Sequence, residues 1–222
     1  MSYTLLVASK AYSSWSLRGW LLFDAFSIPV TEQVVPMYSD AFHDALAAMA
    51  PARTVPCLAE ERNGARIVIW DSLAIAEHLA ERHPEAGHLP ADPVARAAAR
   101  SLTAEMHSGF SALRGAMPMA LHHRLAPKPI ADDVSRDIAR IEALWSSTRA
   151  QHGAGGPYLF GAAYTMADAF FTPVASRFET YAVPLSSESA AYRDALLVHP
   201  SVVRWREQAN LEPEMEKRYG FA

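Results

Sequence analysis

The sequence predicts two domains, a small α/β domain followed by an all-helical domain. Strand-like runs alternate with helical patterns through the first part of the chain, and a segment with three prolines and one glycine at 83–93 then interrupts it. Helical patterns continue beyond that segment, where no convincing strand pattern follows. We therefore expect the α/β domain at residues 1–83, a linker at 84–93 and the all-helical domain at 94–222.

The first half of the small domain is predicted to form a parallel βαβ unit. Residues 4–8 are a short apolar run typical of a buried strand, and the helical pattern at 15–26 ends before Pro29. A second short strand is predicted at 31–35. Parallel strands joined through a helix need a right-handed crossover, which places the helix on one face of the sheet.

The second half of the small domain is predicted as a helix, a hairpin and a further helix. The polar pair at 39–40 can cap a helix that Pro51 closes. Two strand-like runs then flank Asn63-Gly64, the strongest short-range hairpin signal in the chain. A helix is predicted at 72–82, so the order of elements is β-α-β-α-β-β-α.

The second domain is predicted to contain only helices. An Ala-rich helix spans 94–123 with a kink near Pro118, and residues 130–151 repeat apolar side chains at helical spacing. Three shorter helices are predicted at 166–178, 189–197 and 201–208. Such a domain buries its core between helices rather than against a sheet.

Composition and charge exclude several classes of protein. With 20 Lys and Arg against 24 Asp and Glu, the net charge of -4 excludes a basic footprint for unspecific nucleic-acid binding. The single cysteine, Cys57, excludes a disulfide framework and is expected to be a buried apolar residue. The histidines are scattered, which predicts no metal site. Neither a signal peptide nor an apolar run of about 18 residues is visible, so we expect a soluble, cytoplasmic protein without membrane partners.

The first candidate site residues lie between the first strand and the first helix. Ser13 and Ser14 stand where free backbone N–H groups and the positive end of the helix dipole converge. A thiolate or another anion held at this position would be stabilised by both effects. The alternative is that these serines only cap the helix.

The second candidate feature is Pro56, at the start of the predicted third strand. If the bond before Pro56 is cis, the backbone N–H and C=O of Val55 turn outward and can pair with an extended, peptide-like ligand. If the bond is trans, Pro56 is an ordinary proline at the start of a strand.

The third feature is the pair Asp71-Ser72, which follows the fourth strand and opens the next helix. Ser72 can donate its hydroxyl and N–H to a ligand carboxylate at the helix start, and Asp71 can accept an ammonium group. The alternative is again simple capping of the helix.

Four short motifs follow one another along the chain: Ser13-Ser14-Trp15-Ser16-Leu17-Arg18, Pro51-Ala52-Arg53-Thr54-Val55-Pro56, Asp71-Ser72 and Thr165-Met166-Ala167-Asp168. In this order they resemble four motifs of glutathione transferases. These are the zeta-type signature Ser-Ser-Cys-x-x-Arg, the run Asn-Pro-x-x-x-Val-Pro with its cis-proline, the Glu/Gln-Ser pair, and the Ser/Thr-x-x-Asp capping box. Residues 1–82 resemble the thioredoxin-like domain of that family, and the helical remainder is similar to its C-terminal domain.

The resemblance implies a glutathione transferase of the detoxification type, with glutathione as co-substrate and no metal. A serine hydroxyl would hydrogen-bond the glutathione sulfur and stabilise the thiolate for attack on a small hydrophobic electrophile. Spacing to Arg18 favours Ser13 over its rival Ser14, and Arg18 is interpreted as structural or as a source of positive potential. The alternatives are a glutathione-dependent cis-trans isomerase of maleylacetoacetate type and a non-catalytic binding protein with the same fold.

The resemblance also implies a set of binding residues and a homodimer. The residues expected to bind glutathione or the electrophile are Tyr12, Trp15, Arg53, Val55, Pro56, Asp71, Ser72, Met106 and Phe110. Two departures bear on this set. Asp71 is one methylene shorter than the usual Glu or Gln, and Trp15 stands where the zeta signature has cysteine. Met106, Phe110 and Met117 form a Met/aromatic stripe, a pattern that more often belongs to a plain helical core.

Overall fold

The structure, a computed structural model of the chain, describes residues 2–213. Residue 1 of the predicted α/β domain and residues 214–222 of the predicted helical domain lie outside the described residues. Within residues 2–213 a four-stranded sheet with three helices comes first, and helices without a further strand follow it. The predicted fold class, an α/β domain followed by an all-α domain, is therefore confirmed.

The sheet has the strand order β2-β1-β3-β4. The strands are β1 (Ser2–Ala8), β2 (Thr31–Val35), β3 (Cys57–Arg62) and β4 (Ala65–Ile69), and the helices of this domain are α1 (Ser14–Asp24), α2 (Asp40–Ala47) and α3 (Ser72–Arg82). Strands β1 and β2 are parallel and joined through α1, which confirms the βαβ unit. The pairs β1–β3 and β3–β4 are antiparallel, and Asn63-Gly64 forms the predicted hairpin turn with positive φ at both residues.

The helical domain begins with Pro93 at the end of the linker, which contains a short 3₁₀ turn at Pro84–Ala86. Its helices are α4 (Pro93–Ser108), α5 (Ser111–Ala116), α6 (Asp132–His152), α7 (Met166–Thr180), α8 (Ser187–Leu197) and α9 (Pro200–Ala209). Helix α7 packs against α1, α4 and α8, and nearly all of its residues are buried. One apolar core therefore runs from the sheet through α1 into the helical domain.

The single helix predicted at 94–123 is wrong. Helix α4 stops at Gly109, where a Cβ would lie 2.8 Å from the carbonyl oxygen of Glu105, and Phe110 then adopts a left-handed φ of 60°. The Arg114 guanidinium donates to carbonyl oxygens in the last turn of α4 and so satisfies groups that a continuing helix would use. Helix α5 ends before Pro118, so the chain has no kinked helix there.

Cys57 lies in a smaller apolar cluster between the sheet and α2, together with Leu6, Val35 and Met49. Burial raises the pKa of its thiol to about 11, although nearby Arg66 lowers it slightly. The thiol is therefore protonated and shielded, and the expectation of a buried apolar role is confirmed. No helix within residues 2–213 combines the length and the apolar character needed to cross a bilayer.

Candidate functional site

Ser13 caps the first helix. Its Oγ accepts a hydrogen bond from the Ser16 backbone N–H at 3.3 Å and donates one to Ser16 Oγ at 2.8 Å. Ser16 Oγ in turn accepts from the Ala8 N–H at 3.0 Å, which joins the cap to the end of β1. Ser13 is only 6% exposed. Its hydroxyl proton is thus already used within the protein.

Ser14, the first residue of α1, is in a different situation. Its Oγ accepts a hydrogen bond from Nη2 of Arg177 at 3.1 Å, and this is its one hydrogen bond to a described residue. The side chain is half-buried rather than enclosed. Burial, with help from Arg114, lowers the pKa of Arg177 to about 10, so the guanidinium remains charged at neutral pH. Ser14 therefore presents a donor proton beside a fixed positive charge.

Two more arginines surround the start of α1. The guanidinium carbons of Arg18 and Arg114 lie 4.6 and 4.8 Å from the centre of the Trp15 ring, which they share as a cation–π partner. Burial lowers the pKa of Arg18 strongly, and Arg114 and Arg177 lower it further. Arg18 donates from Nε to the Phe170 carbonyl at 3.2 Å. In the described part of the chain none of the three arginines pairs directly with a carboxylate. Three guanidinium groups therefore lie together around the start of α1.

Asp71 and Ser72 stand at the start of α3. One oxygen of Asp71 caps the helix by accepting from the Leu73 N–H at 3.0 Å, and the other lies 3.1 Å from Nε2 of His107 on α4. Ser72 is fully buried, and its Oγ has no hydrogen-bond partner among residues 2–213. A free hydroxyl donor beside a carboxylate suits the carboxylate and ammonium groups of an α-amino acid, which is what the γ-glutamyl end of glutathione presents.

The predicted proline loop lies beside α1. The Val55–Pro56 bond is cis, as the resemblance implies, and Pro56 is buried while Arg53 is exposed. Gly19 on α1 allows this approach, since a Cβ on Gly19 would lie 2.6 Å from Pro56 Cβ. The absence of a side chain at Gly19 therefore sets the distance between α1 and the loop that holds Val55.

Replacing Gly19 with alanine is expected to destabilise the protein by about 2 kcal/mol, because the loop must move to relieve the overlap with Pro56. In an open helix the same change would stabilise by up to about 1 kcal/mol. Gly115→Ala is the matched control, since no atom lies within 4 Å of the added Cβ. Urea unfolding of both variants measures the difference. If Gly19→Ala is as stable as Gly115→Ala, or more stable, the loop moves without cost and the prediction is wrong.

Several predicted electrophile-binding residues lie in the core. Met106 is fully buried, and Tyr12, Phe110 and Met117 are each less than one-tenth exposed. Met117 also lines a cavity of about 400 Å³ with Pro118, Lys128, Val134 and Tyr181. Its carbonyl oxygen accepts from Nε of Arg177 at 2.8 Å, so one guanidinium connects this cavity to Ser14. The larger cavity at the linker, about 1060 Å³, contains none of the predicted site residues.

The sequence did not lead us to predict three residues of this site: His107, Arg114 and Arg177. All belong to the helical domain, and only the packing of that domain on α1 and α3 brings them to the serines and Asp71. Arg177 did carry a signal, because a charged residue near the end of a mostly apolar helix needs a specific partner where it is buried. Among residues 2–213 no three His, Cys, Asp or Glu side chains are placed to hold a metal ion.

The loop between β1 and α1 is also held by the end of the described chain. The Glu212 carboxylate accepts from the backbone N–H groups of Lys10 at 2.7 Å and Ala11 at 3.1 Å. The Trp205 indole donates to the Lys10 carbonyl at 2.9 Å. Residues far apart in sequence thus fix the loop that precedes both serines.

The comparison with protein families agrees with this geometry. Residues 12–82 match the family model for the glutathione S-transferase N-terminal domain, and residues 93–208 match that for the C-terminal domain. The chain belongs to the glutathione S-transferase family. Both halves of this glutathione S-transferase match, in the order that the motifs predict, so the resemblance inferred from the sequence is confirmed.

A named relative matches part of this glutathione S-transferase. A Caenorhabditis elegans protein named "Probable maleylacetoacetate isomerase" is 33% identical over 106 residues, 46% of this chain and 48% of that protein. The matched segment spans about half the length of that relative.

Two solved structures share the fold. A glutathione transferase homolog from Burkholderia gl BGR1, with bound glutathione, has 22% identity and a TM-score of 0.69, covering 95% of this chain and 99% of that one. Maleylacetoacetate isomerase from Anaeromyxobacter dehalogenans 2CP-1, with glutathione in its active site, has 24% identity and a TM-score of 0.67, covering 96% and 97%.

Proposed function

We propose that this protein is a glutathione-dependent enzyme in which Ser14 activates the glutathione thiol for attack on a small electrophile. The observation that supports the proposal is the position of Ser14 at the start of α1, with its oxygen held by Arg177 and its proton available. The sequence spacing favoured Ser13, but the Ser13 hydroxyl is engaged with Ser16. Ser13 therefore caps the helix and Ser14 contacts the sulfur.

Three parts of the small domain bind glutathione: the start of α3, the loop that holds Val55 and the start of α1. Ser72 donates its buried hydroxyl to the carboxylate of the γ-glutamyl end, and Asp71 accepts from the ammonium group. Val55, before the cis-proline, pairs its backbone with the peptide part of the ligand. These contacts orient the ligand so that its thiol meets the start of α1.

Ser14 and its neighbours then favour the ionised thiol. Glutathione supplies the thiol that attacks the electrophile. Ser14 donates its hydroxyl proton in a hydrogen bond to the sulfur, and the charged Arg177 and the N-terminus of α1 add positive potential. Lowering the thiol pKa by two units corresponds to about 2.7 kcal/mol of preference for the thiolate.

Retention on immobilised glutathione and turnover of chlorodinitrobenzene test this function. We expect the wild-type protein to be retained and to form the conjugate. Retention without turnover of any electrophile would favour the alternative of a non-catalytic binding protein. Failure of retention as well would overturn the assignment of the ligand.

A second candidate, a cis-trans isomerase of maleylacetoacetate type, is favoured by the arginines around Trp15 and Ser14. Three guanidinium groups without carboxylate partners in the described chain suit an electrophile that bears its own carboxylate. The relatives named maleylacetoacetate isomerase agree with this choice, and one structure of the Anaeromyxobacter enzyme holds dicarboxyethyl glutathione. Isomerisation would use the same thiolate by reversible addition to a cis-enone acid.

The carboxylate preference predicts that cis-acetylacrylic acid reacts with a higher kcat/KM than its methyl ester, by about tenfold. The ester is the intrinsically stronger electrophile, so the reversed order would have to come from the arginines. Rates with each compound, corrected for the uncatalysed reaction with glutathione, provide the measurement. An ester that reacts faster on the enzyme would leave general conjugation as the function.

Family membership also supports four broader features of the proposal. We place the protein in the cytoplasm, as a homodimer with a detoxification role and with domains at 1–83 and 94–222. A C2 dimer would bury the same patch on both copies. Size-exclusion chromatography with light scattering tests the dimer.

A further inference from the structure

We propose that His107, from the helical domain, is a positioning residue for glutathione. It holds the Asp71 carboxylate in the orientation that accepts the ligand ammonium group. The inference rests on the proposed function, because it concerns the γ-glutamyl end of the same site. It assigns to the helical domain a part in recognition that the sequence motifs place entirely in the α/β domain.

The contact between the two residues crosses the domain boundary. His107 lies in the last turn of α4, and its Nε2 is 3.1 Å from Oδ2 of Asp71 at the start of α3. The imidazole is fixed between aromatic rings, since its centre lies 5.1 Å from that of Trp15 and 6.3 Å from that of Phe170. A ring held in this way presents its nitrogen to Asp71 in one direction.

The short side chain of Asp71 explains why such a partner is needed. Aspartate reaches less far than the glutamate or glutamine usual at this position, and one of its oxygens is already used to cap α3 through the Leu73 N–H. The second oxygen faces His107, while 46% of the side chain remains exposed to solvent. A carboxylate has about four lone-pair positions, so both contacts leave room for a ligand ammonium.

His107 supports this role in its neutral form. Burial lowers the pKa of His107, Asp71 opposes that shift, and Arg18 on α1 and Arg114 on α5 add to it. Its Nδ1 is buried without a hydrogen-bond partner among residues 2–213, so a proton there would be unsatisfied. Neutral His107 donates from Nε2 and leaves the charge of Asp71 available to the ammonium. An imidazolium would neutralise that charge and compete with the ligand.

The experiment compares glutathione with deaminoglutathione, which lacks the ammonium group, by titration calorimetry. His107→Leu is expected to bind glutathione about tenfold more weakly and deaminoglutathione unchanged, because the lost contact acts only through Asp71. His107→Gln retains a donor close to the Nε2 position and is expected to restore most of the affinity. His43→Leu, at an exposed histidine on α2, is the matched control and should bind like the wild type.

A pH series separates positioning from mere packing. Wild-type affinity for glutathione is expected to fall as the pH is lowered below the ordinary imidazole pKa of about 6.5 and His107 gains a proton, whereas the glutamine variant stays nearly constant. Equal loss of both ligands in His107→Leu, or an identical pH series in wild type and His107→Gln, would overturn the inference while leaving the proposed function standing. A wild type that binds no glutathione would overturn the proposed function and this inference with it.

Discussion

Replacing Ser14 with alanine is expected to lower kcat/KM for glutathione conjugation about a hundredfold without unfolding the protein. Removing one preorganised hydrogen-bond donor from a developing anion typically raises the barrier by about 3 kcal/mol. Ser14 is half-buried and does not cap α1, so the helix keeps its own stabilising contacts. The same change should raise the pKa of the bound thiol, which the ultraviolet absorbance of the thiolate reports directly.

Ser13→Ala is the control for this result. It removes the helix cap and is expected to destabilise the protein by about 1 kcal/mol, with kcat/KM changed by no more than a few-fold. Ser14→Thr keeps a hydroxyl at the site and should retain part of the activity. If Ser13→Ala abolishes conjugation and Ser14→Ala preserves it, the sulfur contact belongs to Ser13, as the spacing to Arg18 indicated.

Much of the small domain could be predicted because its signals are local. The Asn63-Gly64 turn, the apolar run of β1 and the proline before β3 each specify structure within a few residues. The prediction of a single helix at 94–123 was wrong because the contacts that end the helix are not local. Its break at Gly109 depends on a carbonyl of the preceding turn, and Arg114 then replaces the missing helical hydrogen bonds from a distance. An Ala-rich sequence pattern cannot show that the Arg114 side chain will take the place of these helical hydrogen bonds.

The residues of the candidate site also fall into those that the local sequence predicts and those that it does not. Asp71, Ser72 and the two serines follow from their positions at helix starts, where unpaired N–H groups are a general property. Which serine has a free proton could not be predicted, because Ser16 and Arg177 decide it through contacts made only after folding. The second domain brings His107, Arg114 and Arg177 to the site through tertiary packing. The periodic pattern of a single sequence does not show which helices will pack together.

Asp168→Ala is expected to lower the free energy of unfolding by about 4 kcal/mol. Asp168 is fully buried near the start of α7, in the capping box that the sequence predicts. Its carboxylate accepts four hydrogen bonds, from the N–H and the hydroxyl of Thr165 at 2.8 Å, from the Leu159 N–H at 3.1 Å and from the Tyr192 hydroxyl at 2.8 Å. Alanine leaves all four donors unpaired in the core.

The four contacts also distinguish this network from a simple helix cap, whose loss costs only about 1 kcal/mol. Asp168→Asn keeps the shape but turns an N–H₂ group toward two of the donors, so it is expected to cost about 3 kcal/mol. Asp194→Ala, an exposed carboxylate on α8, is the matched control and should stay within about 0.5 kcal/mol of the wild type. The urea midpoint at constant slope measures each variant. A loss near 1 kcal/mol for both Asp168 variants would mean that Asp168 acts as a cap alone, and that Leu159 and Tyr192 find other acceptors.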